Sequence, residues 1–125
     1  MISCHGNDLF INKKNKTIYS NHEIEKFYIE TNEDLYYFYC KKGHKGDKSI
    51  RLDSIPTLYL IEKNGCPISI HDNIIIRNNY YNLLQKNEVY IVSNATIGDA
   101  TAYSVSFRTD SIARIIYMDE FESVP

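Results

Sequence analysis

The stretch from Thr57 to His71 constrains this chain more than any other. Two strand-like runs flank the dipeptide Asn64-Gly65, and Asn-Gly between apolar runs is the strongest short-range hairpin signal a sequence carries. A type I′ turn needs positive φ at both central positions, which Asn and Gly tolerate. A two-residue loop then sets the register: Lys63 faces Cys66, Ile61 faces Ile68 and Tyr59 faces Ile70. Side chains alternate with period two, so Tyr59, Ile61, Cys66, Ile68 and Ile70 share one face, the expected core face. Leu58, Leu60, Glu62, Pro67, Ser69 and His71 share the other, expected to be half covered. Pro67 adds a constraint of its own. It falls opposite Glu62 in a non-hydrogen-bonded pair, so its missing N–H points away from the partner strand and marks a sheet edge.

The rest of the chain reads as further strands. Asp8–Asn12 and Thr17–Ser20 form a hairpin across the basic turn Lys13-Lys14-Asn15-Lys16. His22–Glu30 fits either a helical stripe or a strand. Phe27-Tyr28-Ile29 favours the strand, and Thr31-Asn32-Glu33-Asp34 is a turn that pairs Lys26–Glu30 with Leu35–Cys40. The run Leu35–Cys40 is aromatic on both faces, which suits a central strand or one that keeps a face for a partner. Lys41–Ser49 reads as a polar loop, Ile50–Leu52 as a short strand, Ile74–Ile76 as a strand or crossover, and Asn79–Lys86 as a helix capped by Asn78 or Asn79 and stopped at Asn87. Glu88–Ser93 and Thr101–Phe107 are strands. Ala113–Met118 pairs with the latter across Arg108–Ser111, with a helix starting at Ser111 as the rival. The expected fold is mostly β, a β-rich α+β chain forming a single domain over residues 1–125. About seven to nine short strands and one short helix would make an antiparallel sheet, either barrel-like or a sandwich.

Composition supports this. There are 18 Ile and 11 Tyr against four Ala and seven Leu, a balance that favours strands over helices. Ile, Asn, Lys and Tyr make 51 of the 125 residues; all four have A/T-rich codons, as in genes of bacterial accessory islands. The formal charge of −2 gives no general affinity for nucleic acid. No apolar run approaches membrane-spanning length and no signal-peptide pattern opens the chain, so the expected location is cytoplasmic. Three cysteines, Cys4, Cys40 and Cys66, do not suggest a disulfide framework.

Residues in this chain bear on four chemistries. Cys40-x3-His44 and Cys66-x4-His71 offer thiolate and imidazole ligands for zinc, but Cys66 and His71 fall on opposite faces of one strand, so no metal site and no cofactor is expected. Gly43-His44-Lys45-Gly46-Asp47-Lys48-Ser49 resembles a phosphate-binding loop, yet Asp47 interrupts the Gly-Lys pair and Pro56 follows too soon for the required helix. His5, His22, His44 and His71, with Lys48 or Tyr, contain the residue types of a metal-free ribonuclease, which needs an acid, a base and a cation in one pocket. The fourth is a partner surface. Tyr gives contact area at low entropic cost, and acidic residues gather in Glu23–Asp34 and Asp119–Glu122.

The expected partner-binding residues are therefore Glu33, Asp34, Tyr36, Tyr37, Asp119, Glu120 and Glu122, with no catalytic residue. The leading functional expectation is a small protein-binding module without enzymatic activity, of the kind that a bacterial immunity protein or antitoxin uses to occlude a basic, nuclease-like toxin. A small ribonuclease-type toxin using histidine acid–base chemistry is the alternative from another class, and a structural or assembly protein the third. A ribonuclease would gather at least two histidines with Lys or Tyr in one concave pocket. An inhibitor would show Tyr and acidic side chains on an open face.

Overall fold

Turn chemistry and alternation carry most of the architecture. The computed structural model describes residues 8–68, 75–77, 80–96 and 104–117. In chain order its strands are β1 (Phe10–Asn12), β2 (Thr17–Ile24), β3 (Lys26–Glu30), β4 (Leu35–Cys40), β5 (Asp47–Arg51), β6 (Ile55–Pro56), β7 (Tyr59–Lys63), β8 (Cys66–Pro67), β9 (Ile75–Arg77), β10 (Tyr80–Asn82), β11 (Val89–Asn94), β12 (Ser104–Thr109) and β13 (Ile115–Tyr117). They form one seven-stranded sheet, β13-β12-β11-β3-β4-β7-β8, and two three-stranded sheets, β1-β2-β5 and β6-β10-β9. Every strand pair is antiparallel. Among the described residues the large sheet ends in two different strands, β13 and β8, and is not closed into a barrel.

The Asn64-Gly65 turn forms as expected, with φ of 52° and 86°, and pairs Lys63 with Cys66 and Glu62 with Pro67. Pro67 does sit on the outermost strand, β8, where its missing N–H costs nothing. Asn64 does more than turn the chain. Its Oδ1 accepts the Leu35 N–H at 2.8 Å and its Nδ2 donates to Asp34 at 3.0 Å, tying this turn to the neighbouring β3–β4 turn. The β3–β4 hairpin also forms as expected, running from Lys26 opposite Tyr39 to Glu30 opposite Leu35, and so does the β1–β2 hairpin.

One face of the large sheet is core. Phe27, Ile29, Phe38, Tyr59, Ile61, Tyr90, Val92 and Phe107 all turn to it and are buried. Phe27 stacks on Phe38 with centroids 4.5 Å apart and meets the edge of Tyr59 at 5.3 Å. Ile18, Ile24 and Ile50 of the β1-β2-β5 sheet and Ile55 of β6 join the same apolar cluster. Burying each such side chain contributes about 1.5–3 kcal/mol.

Two buried tyrosines stitch the layers together. The Tyr59 hydroxyl donates to the Ile24 carbonyl at 2.5 Å and accepts the Asp47 N–H at 3.0 Å, joining β7 to the end of β2 and the start of β5. The Tyr90 hydroxyl does the same for residues 83–85, donating to Leu83 O at 2.8 Å and accepting the Gln85 N–H at 2.7 Å. Beside the first junction Gly46 packs so closely that a Cβ would lie 1.9 Å from the Ile24 carbonyl oxygen.

Several expectations are corrected. Asn79–Lys86 is not a helix: Tyr80–Asn82 is strand β10, paired with β6 and β9, and Leu83 and Leu84 are both buried beyond it. No helix occurs among the described residues. After Asp110 the chain turns and returns as β13, so the rival helix from Ser111 does not form through Tyr117. Strand β5 begins at Asp47, inside the expected loop. Cys66 is exposed rather than core, because the hairpin tip overruns the last buried layer at Ile61.

Candidate functional site

The opposite face of the large sheet carries the feature that the core does not explain. Alternation turns Lys26, Tyr28 and Glu30 of β3 outward, and the hairpin register sets Leu35, Tyr37 and Tyr39 of β4 beside them. β7 contributes Leu60 and Glu62, and β11 contributes Ile91 and Ser93. One row crosses six strands: Ser104, Ser93, Tyr28, Tyr37, Glu62, Pro67.

Three tyrosines form a ladder at its centre. Tyr28 and Tyr37 stack across strands with centroids 4.8 Å apart and planes at 30°. Tyr37 and Tyr39 stack along β4 at 5.3 Å and 25°. The Tyr39 hydroxyl donates to Glu62 Oε2 at 3.4 Å. Partial burial, then the neighbouring Tyr28, Glu62 and Tyr39, hold the Tyr37 hydroxyl above its ordinary pKa. Around the ladder Leu35, Leu60 and Ile91 are 41%, 38% and 37% exposed. An apolar patch rimmed by polar groups on a sheet face is the mark of an interaction surface.

The face is electrically polarised along the strands. At the β3–β4 turn stand Glu30, Glu33, Asp34 and Glu88; Asn32 Nδ2 donates to Glu88 Oε1 at 3.1 Å, and Lys63 approaches Asp34 at 4.0 Å. At the other end the loop after β4 folds over Tyr37 and Tyr39 to form a cleft of about 580 Å³. Lys26, Lys41, Lys42 and His44 line it, opposed by Glu25 and Glu62. Gly43, at φ 88°, makes the turn that closes the loop, with the His44 N–H donating to Lys41 O at 3.0 Å. Cys40 also lines it, and burial, Glu25 and Asp47 push its thiol up, the opposite of an activated nucleophile.

The expected site residues divide. Tyr37 lies at the centre of the ladder. Glu33 is exposed in the β3–β4 turn, and Asp34 is half-buried beside it. Tyr36 is corrected: it is 6% exposed, because the register that turns Tyr37 outward turns Tyr36 into the core. Asp119, Glu120 and Glu122 lie outside the described residues. Tyr28, Tyr39, Glu30 and Ile91 were missed, although the β3 pattern held a signal. Phe27 and Ile29 mark its core face, which leaves Tyr28 outside, and the four-residue turn then pairs Tyr28 with Tyr37.

The other chemistries can be placed too. The cleft contains one histidine, His44; His22 is exposed on β2 in another sheet, and His5 and His71 lie outside the described residues. Lys48 and Ser49 of the loop resembling a phosphate site belong to β5, with no helix N-terminus behind them. Among the described residues no three His, Cys, Asp or Glu side chains cluster as a metal would need, and no helix is long and apolar enough to cross a membrane. Comparison of the chain with protein-family models, with curated proteins and with solved structures finds no match.

Proposed function

We propose that this chain is a small cytoplasmic protein-binding module without catalytic activity, and that the outer face of the seven-stranded sheet is its working surface. In this reading the two small sheets close the inner face as in a sandwich, which leaves the outer face for a partner. The observation that carries it is the Tyr28–Tyr37–Tyr39 ladder. The tyrosine rings are held by one another and so offer contact area at little further entropic cost.

The partner class follows from charge. The acidic end at Glu30, Glu33, Asp34 and Glu88 suits a basic protein surface, and such complementarity speeds and orients association. A nuclease-like toxin domain has such a surface, because its own substrate is polyanionic. The module would then be an immunity- or antitoxin-type inhibitor that covers it. Stacked rings have their mutual faces occupied, which suits a protein surface better than intercalating bases.

The test is co-purification. Tagged protein is incubated at low salt with lysate of its own host and washed with salt. A stoichiometric basic protein, inactive as a nuclease while bound and active once released, is the expected result. Retention of nothing, or of RNA alone, contradicts it. The ribonuclease alternative rests on His44 beside Lys26, Lys41 and Lys42. It requires that the purified chain cleave RNA without metal and that His44→Ala abolish cleavage.

A further inference from the structure

The outer face of the large sheet is ordered about the row through Tyr28 and Tyr37. On β3, Lys26 stands two residues before Tyr28 and Glu30 two residues after it. On β4, Leu35 and Tyr39 stand two residues to either side of Tyr37. Alternation puts all six side chains on this face, in three rows about 7 Å apart. Past the Lys26–Tyr39 row, the loop after β4 brings exposed Lys41 and Lys42 to the cleft. Past the Glu30–Leu35 row, the β3–β4 turn carries exposed Glu33. Asp34 and Glu88 at that end already meet Lys63 and Asn32. Two residues soften the contrast between the ends: Glu25 lines the cleft among the lysines, and Arg108 is outward on β12, two strands from β3.

A face with this order complements itself. A second copy can be laid on it face to face by a half-turn about the Tyr28–Tyr37 row. β3 then lies over β3 with strand direction reversed, so Lys26 of each copy meets Glu30 of the other. The same operation sets Tyr39 over Leu35 and keeps the tyrosine pair on the axis. It also carries the Lys41-Lys42 loop of each copy to the Glu33 turn of the other. A half-turn about the strand direction would instead bring like ends together. Because a two-fold contact is isologous, every favourable pairing occurs twice.

We infer that in the free protein this face is covered by a second copy of the chain, with strands antiparallel across a two-fold axis along the Tyr28–Tyr37 row. This rests on the reading of the face as the working surface, which a basic partner would reach by displacing the second copy. Leu35 and the tyrosines supply the apolar centre, and the charged ends fix the direction. Glu62, next to Tyr37 in the axial row, is set near its own counterpart, a like-charge contact that keeps the dimer displaceable.

Sedimentation of the full chain over a range of concentrations tests this. A reversible monomer–dimer equilibrium, weakened by added salt, is expected. Lys26→Glu/Lys42→Glu sets acid against acid, and Glu30→Lys/Glu33→Lys sets base against base. Each variant alone should weaken the dimer by about tenfold or more. Mixed in equal amounts, the two variants should associate with each other about as tightly as the parent does with itself. Melting temperatures show that each variant folds. The inference is overturned if the parent is a monomer at every concentration, if neither variant weakens the dimer, or if the mixture fails to associate. Retention of a basic partner from lysate is read separately. A monomeric parent that retains one overturns the dimer alone, and a dimeric parent that retains none overturns the partner alone.

Discussion

Tyr59 and Tyr37 belong to adjacent strands of one sheet, and their chemistry is opposite. Tyr59 points into the core, where its hydroxyl satisfies a carbonyl and an N–H of two other strands. Tyr90 repeats the arrangement at the far side of the core. Tyr37 points outward, stacks on Tyr28 and Tyr39, and rests among exposed Leu35, Leu60 and Ile91. Inside, tyrosine acts as a strut between layers, and its polar tip is consumed by the backbone. Outside, it builds a stacked surface, with the Tyr39 hydroxyl turned to Glu62. These tyrosines therefore play two structural parts, and the proposed function draws on the outer one.

The sharpest break in the comparison should come from emptying the inner face. Phe38→Ala removes the ring stacked on Phe27 and should cost about 3–5 kcal/mol, read as a lowered urea midpoint. Next is the strut itself. Tyr59→Phe keeps the ring but leaves Ile24 O and Asp47 N–H without their buried partner, at a cost of about 1–3 kcal/mol. On the outer face Tyr28→Thr removes a single stacked pair, worth about 0.5–1.5 kcal/mol beyond its lost contact area, and should be the mildest of the three. If the outer change proves as damaging as Tyr59→Phe, the ladder is structural and the division between the faces fails.

Alkaline pH separates the faces a second way. Burial pushes the Tyr90 hydroxyl up to about 12 and raises Tyr59 further. A phenol whose pKa is raised by folding contributes stability that is complete below its unfolded value, near 10, and is lost as pH climbs toward the folded value. Stability should therefore fall steadily above about pH 10, and the fall should be shallower in Tyr90→Phe than in the parent when melting temperatures are followed against pH. A pH profile identical in the two would remove Tyr90 from the account.

How far the sequence reveals these faces depends on where the deciding interactions lie. The Asn64-Gly65 hairpin could be read residue by residue and the β3–β4 hairpin strand by strand, because a local turn joins each pair. Pro67 marked the sheet edge for the same local reason. Tyr80-Tyr81-Asn82-Leu83-Leu84 could not, since its apolar spacing fits a helix turn as well as an extended run. Its pairing with Pro56 and Ile55, and with Arg77, Ile76 and Ile75, decided the matter, and the first of these is a distant contact. Tyr36 and Tyr37 illustrate the same limit within one strand. Both are aromatic, so β4 alone does not say which is inside; its pairing with Phe27 and Tyr28 on β3 does. The cleft around His44 depends on how its loop packs on the sheet, which no local pattern encodes.

The most direct measurement on the tyrosine face uses Tyr28→Thr/Tyr37→Thr, a change that keeps strand-favouring residues in a cross-strand pair. Parent and variant are compared for retention of the basic partner from host lysate, with melting temperature recorded for both. The account predicts that the variant melts cooperatively, at a temperature lowered by the loss of the two stacked pairs, and no longer retains the partner. Undiminished retention by a folded variant would contradict it and move the binding surface elsewhere on the molecule.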